Sequence, residues 1–300
     1  MTTASPQNAL TGILWMILTG LCFVGVTALV KVLGTRLPAA QTAFIRYAFG
    51  IILVLPLMKH VFAARMTRKQ IGLLGLRGAA HTGGVIMWFF AMARIPIADV
   101  TAMNYVSPVY VTLAAALFLG EKLAARRTIA VIFALIGALV ILRPGFRELS
   151  PGHIAMIFGP LGFGASYILA KRASDELSAT VVVAMLTITV SIGLAPLAYS
   201  VWLAPTLYEV SVLAGVAVLA TLAHYAMSRA FQAAPVGVTQ PVTFLQLVWA
   251  VMLGSLVFGE AIDPYVVLGG GIIVASVSFI AWREAVLKRR QKTPQPDQTL

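Results

Sequence analysis

Residues 91–121, AMARIPIADVTAMNYVSPVYVTLAAALFLGE, are answered 139 positions later by residues 230–260, AFQAAPVGVTQPVTFLQLVWAVMLGSLVFGE, with no gap. Over the wider pair 91–142 and 230–281 only seven identities are strict, at Ala91, Pro96, Val109, Leu117, Gly120, Glu121 and Ile141. Their number is weak evidence; their placing is stronger. A Pro opens and a Gly-Glu closes an apolar run of equal length in both copies, and Tyr105 aligns with Phe244. A second echo, at offset 140, matches Leu21, Phe23, Leu29, Lys31 and Leu37 to Leu161, Phe163, Leu169, Lys171 and Leu177. The chain reads as one unit written twice.

Of 300 residues, 60% are hydrophobic and 11% charged, against about 25% charged in soluble domains. Such a chain belongs in lipid. Because an apolar helix needs about 20 residues to span a bilayer, the sequence holds ten spans: 11–34, 40–58, 71–93, 97–119, 127–142, 152–171, 178–200, 209–229, 236–258 and 265–283. The expected fold is an all-α integral membrane protein of ten transmembrane helices, two inverted five-helix repeats around a central cavity. Residues 1–10 form an N-terminal segment, 11–145 the first repeat, 150–283 the second, and 284–300 a basic tail expected to be disordered.

The net charge of +12 invites a nucleic-acid partner, but its distribution argues against one. With the N-terminus inside, the inner loops carry fifteen Lys and Arg and the outer loops five, Lys31, Arg36, Arg94, Arg143 and Arg147; Arg46 and Arg77 fall within spans. That bias places both termini in the cytoplasm, so basicity sets orientation. The single cysteine, Cys22, allows no intramolecular disulfide. The run from Leu10 to Val30 exceeds a signal-peptide core and is expected to stay as the first span.

Five spans per half is an odd number, so the second half enters the membrane upside down. Two similar inverted halves can exchange conformations, giving inward-open and outward-open states of similar energy around one site. Pro56, Pro108, Pro160, Pro196 and Pro241 fall inside spans, where each frees a backbone carbonyl and favours a kink. Pro is also common in membrane helices without any moving role. Pro108 and Pro241 are the leading hinge candidates, because they lie in the paired fourth and ninth spans.

The run Ile95 to Pro108, followed by Leu117-Phe-Leu-Gly-Glu121, resembles the drug/metabolite transporter superfamily, and within it the EamA-like ten-helix exporters. Phe44-Ile45-Arg46-Tyr47 ahead of Pro56 is similar to that family's second span, and Asn104 to Pro108 looks most like the fourth span of YddG-type amino-acid exporters. The resemblance spans residues 11–283 and implies a bacterial inner-membrane protein moving small metabolites out of the cytoplasm. Spans one to four and six to nine would line its cavity, with five and ten peripheral.

A rise of about 1.5 Å per residue and a core about 30 Å thick give depths. His81, Tyr105, Ser107, Phe163, Tyr167, Phe244 and Gln246 converge near mid-membrane, with His224 a little beyond. Polar groups at that depth face a bundle interior or a wet cavity. Aromatic walls with hydroxyl, amide and imidazole groups suit a zwitterion that must also leave. Each candidate has a plainer reading: His81 bonding a neighbouring carbonyl, Asn104 packing helices, Tyr225 rather than His224 pointing inward. Trp88 fits the cavity or an interfacial aromatic belt equally. Glu121 and Glu260 end spans four and nine, where the helix dipole disfavours a carboxylate, so each needs a cation or a helix N-terminus as partner. Lys31 and Lys171 are expected to snorkel, and Gly269-Gly270-Gly271 to pack helices closely.

None of the ten acidic residues lies near mid-membrane, which leaves only His81 and His224 for proton coupling. Facilitated flux without obligatory ion coupling is the expectation, with a proton-coupled antiporter using a buried His as the alternative. The expected substrate is a small molecule, most readily a neutral or aromatic amino acid; import or exchange of another metabolite or drug is the runner-up. No cofactor, resident metal, catalytic residue or obligate protein partner is expected beyond the lipid bilayer. A membrane enzyme would need a nucleophile with its base or clustered metal ligands, and neither spacing occurs.

Overall fold

The computed structural model of the protein describes residues 6–107, 109–110, 113, 125–146, 148–174, 176–233, 239 and 242–292. In chain order its helices are α1 (Pro6–Leu33), α2 (Ala39–Ala63), α3 (Arg68–Met92), α4 (Ile97–Asn104), α5 (Ala125–Leu142), α6 (Pro151–Ser174), α7 (Ala179–Ser200), α8 (Leu207–Ala233), α9 (Leu245–Phe258) and α10 (Pro264–Lys292). The ten correspond one to one with the ten spans. Pro56, lacking an N–H, tightens α2 into a 3₁₀ turn at Leu55–Leu57 before the helix resumes. Thr67 and Gln70 start α3 with a reciprocal capping box.

The main packing partners come from opposite halves: α1 against α8, α3 against α6, α2 against α7, α4 against α9 and α5 against α10. Adding five to each label turns α1 with α8 into α6 with α3 and returns the other three pairs to themselves. The helices therefore obey the two-fold relation expected of an inverted repeat, and the apolar seam lies between the halves. At the tightest crossings the seam is made by glycine. A Cβ on Gly162 of α6 would stand 2.5 Å from the Ala80 carbonyl oxygen of α3, and one on Gly269 of α10 would stand 2.5 Å from the Gly137 carbonyl oxygen of α5.

By length and composition, four helical stretches are apolar enough to cross a membrane, Leu10–Leu33, Ala39–Ala63, Thr180–Ser200 and Leu207–Met227, with shorter apolar helices at Thr128–Leu142, Leu245–Phe258 and Pro264–Phe279. The physical reason is visible in α3 and α4. The first carries Arg77 and His81, both buried, and the second breaks after Asn104.

Candidate substrate site

Gly84, Gly159 and Gly162 let α3 and α6 approach closely, which brings His81 and Ser166 together: His81 Nδ1 and Ser166 Oγ are 3.2 Å apart, both residues buried. From His81 a run of edge-on ring contacts crosses the bundle. The Tyr47 ring is 6.4 Å and the Phe163 ring 5.1 Å from His81; Phe163 is 6.0 Å from Trp88; Trp88 is 6.3 Å from Phe23; Phe23 is 5.4 Å from His224. Five helices contribute to this ladder, α2, α3, α6, α1 and α8. Phe23 and Phe163, counterparts in the two repeats, flank Trp88 at nearly equal distance. Trp88 itself is half-buried, with its ring packed between these two phenylalanines. At positions 224 and 225, His224 meets Phe23, while exposed Tyr225 turns to Trp15 and Arg229.

A second pair of counterparts also meets on the axis. The Tyr105 and Phe244 rings are 5.2 Å apart and perpendicular. Both residues sit where a span breaks. Around Tyr105 the N–H groups of Tyr105, Val106 and Val109 bond three residues back, to Ala102, Met103 and Val106. At the other break the Leu247 N–H donates to the Phe244 carbonyl, again three residues back, and the Thr243 carbonyl accepts the Tyr105 hydroxyl at 2.9 Å. Spans broken at equivalent places in the two halves mark the substrate level of many transporters. Beside the break, Ser107 is buried, and both its Oγ and the Asn104 Oδ1 have no hydrogen-bond partner among the described residues. Tyr105, Phe244, Trp88 and Phe163 belong to one continuous apolar core.

The electrostatics of the centre are positive. Arg46 and Arg77 are buried; the Arg46 guanidinium lies 3.9 Å from the Tyr47 ring centroid, and Arg77 donates to the Val182 carbonyl at 2.8 Å. Both charges act on both His81 and His224. Phe23, Tyr47 and Arg77 were not among the sequence-derived site residues, although the echo of Phe23 in Phe163 was the available signal. Gln246 is half-buried, with its Cβ beside Gly20 of α1. The Tyr167 side chain and the hinge candidates Pro108 and Pro241 lie outside the described residues, as does Glu121.

Cross-repeat polar ties gather at the end of the bundle holding residues 31–41, 94–99, 143–153, 201–209 and 260–263. Glu260 pairs with Lys31 and accepts the Ile97 N–H at 3.0 Å, the first turn of α4, while Lys31 also donates to the Ile95 carbonyl. Glu260 thus has both of the partners its position calls for. The repeated Gly-Glu explains itself here: Gly259 takes a left-handed conformation (φ 63°) that ends α9, and the Glu260 N–H returns to the Gly254 carbonyl. Arg36 pairs with Glu209, whose hydrogen bond holds the guanidinium above its ordinary range. Gln41 bonds both backbone groups of Leu203. Arg143 pairs with Asp263. His153 Nε2 lies 2.9 Å from Asp99 Oδ2 with both side chains buried, and Ser150 Oγ is 3.0 Å from His153 Nδ1. A cavity of about 390 Å³ opens at this end beside Asp99, Arg143, Glu260 and Asp263, and one of about 320 Å³ opens laterally beside Leu53, Val218 and Tyr225. Neither is lined by the ladder, whose rings close on one another; a solute at the centre must part them.

Comparison with known proteins agrees with this architecture. A riboflavin transporter of Vibrio cholerae is 32% identical, over 95% of this chain and 98% of its own. A pseudopaline exporter of Pseudomonas aeruginosa is 28% identical over 88% and 94%, and an S-adenosylmethionine uptake transporter of Rickettsia conorii 25% identical over 96% and 98%. The EamA-like transporter family matches twice, at residues 10–143 and again at 150–282, the two halves whose helices pack as inverted counterparts. Written twice, folded as ten helices and matched in both copies, the chain is a multi-pass membrane transporter belonging to the EamA-like family, not an enzyme.

Proposed function

We propose that this protein carries a planar heteroaromatic metabolite of the riboflavin kind across the bacterial inner membrane, by alternating access of its two repeats around the ring ladder. The observation that supports this most is the ladder itself: Tyr47, His81, Phe163, Trp88, Phe23 and His224 offer edges and faces to a flat ring system that enters by parting Trp88 from its flanking phenylalanines. Aromatic pairs contribute about 0.5–1.5 kcal/mol each beyond burial, enough to hold a planar solute without trapping it. His81, His224, Ser166 and Ser107 supply hydrogen-bonding groups, and the buried guanidinium groups of Arg46 and Arg77 suit carbonyl-rich ring edges. The likeness to a riboflavin transporter points to the same solute class.

A neutral or aromatic amino acid is the second reading, favoured by Arg46, whose buried guanidinium is a natural partner for a carboxylate. Flux is facilitated, outward in the cell, and cytoplasmic termini follow from the charge bias. Purified protein in liposomes loaded with riboflavin tests the proposal: flavin efflux is expected to exceed that of empty liposomes and to fall about tenfold or more in Trp88→Ala. Flavin flux no greater than in protein-free liposomes, with amino-acid counterflow present, would hand the site to the second reading.

A further inference from the structure

Tyr105 and Phe244 occupy one position of the repeat, as do Asn104 and Thr243. In the conformation described, the Tyr105 hydroxyl donates to the Thr243 carbonyl at 2.9 Å across the two-fold axis. Exchange of the halves' conformations replaces each residue by its counterpart, so the same contact in the opposite state joins residue 244 to the Asn104 carbonyl. Phe244 has no hydroxyl. The opposite state therefore lacks the counterpart of this Tyr105 hydroxyl bond.

We propose that Tyr105 is a positioning residue of the transport cycle: its hydroxyl, unmatched at Phe244, biases the resting equilibrium toward the described state, in which Lys31 and Glu260 are paired. The inference rests on the alternating-access reading above and is independent of which solute is carried. A buried hydrogen bond of this kind contributes a factor of about two to twelve in an equilibrium. Losing it from one state and adding it to the other change the ratio of states in the same direction, which a merely structural role does not do.

The experiment uses full-length protein in nanodiscs without solute. Spin labels replace exposed Val32 and Ile262, which bracket the ion pair of Lys31 with Glu260, in a Cys22→Ser background. Pulsed electron-electron resonance then reads the short-distance and long-distance populations. Tyr105→Phe and Phe244→Tyr are each expected to raise the long-distance population relative to the short by about two- to twelvefold, the first by removing the bond from the state with Lys31 and Glu260 paired, the second by supplying its counterpart in the other state. The double variant is expected to raise it by the product of the two. An unchanged or opposite shift in Phe244→Tyr overturns the proposal, as does a single unmoving distance in all variants. Riboflavin efflux, measured separately, reports on the solute and not on this bias.

Discussion

Asp99 and His153 form a fully buried polar contact that joins the first turns of α4 and α6. The chain contains its own control. The repeat places Val238 opposite Asp99, at offset 139, and Ile13 opposite His153, at offset 140, so the paired positions are apolar in the other copy. Removing one partner takes a polar contact from the other in a site with under 5% of either side chain accessible. A neutral orphan costs about 1–3 kcal/mol, and a buried charge left alone about 3–5 kcal/mol. Replacing both by apolar groups of similar size is near neutral. Asp99→Val and His153→Ile are each expected to lower stability by at least about 2 kcal/mol, and Asp99→Val/His153→Ile by about 1 kcal/mol or less, so the coupling between the sites exceeds about 2 kcal/mol. Thermal unfolding in detergent, at roughly 2 °C per kcal/mol for a chain of this size, should show both single variants clearly below the double. A double variant as unstable as the sum of the singles would refute the argument that the pair is held by mutual desolvation.

Trp88→Ala opens the space between Phe23 and Phe163 and should reduce flavin efflux about tenfold while leaving the melting temperature nearly unchanged, since Trp88 is only half-buried; equal loss of both would make it a packing residue. Gly162→Leu forces a side chain into the Ala80 carbonyl and should abolish a monodisperse folded species on size exclusion. An imposed pH gradient should leave flavin flux driven only by its own gradient; concentrative flux would establish proton coupling and direct attention to His81 and His224.

The reach of the sequence differs from element to element. Pro96 with Glu121 and Pro235 with Glu260, at a constant offset, sufficed for two five-span repeats, because span length and inversion follow from bilayer thickness and parity. The repeated Phe23 and Phe163 identified two residues of the ladder without revealing their use. His81 and Phe163 were singled out by depth and meet in the fold, whereas depth left Trp88 open between cavity and belt. Asp99 and His153 were not: each lies near a span end, where an acid or imidazole ordinarily meets water, and only folding shows that both are buried. Glu260 was legible as a carboxylate in need of partners, but Lys31 and the Ile97 N–H come from helices distant in sequence.

From the sequence alone come the membrane, the count of ten, the duplication and the inversion, all consequences of apolar length and periodic punctuation along one dimension. Which rings touch, which of His224 and Tyr225 turns inward, and how Tyr105 comes to lie against its own counterpart were decided by tertiary packing. The reason is geometric: the seam runs between the halves, so the contacts across it join residues some 50 to 200 positions apart, and helical periodicity carries no information about the neighbour across it.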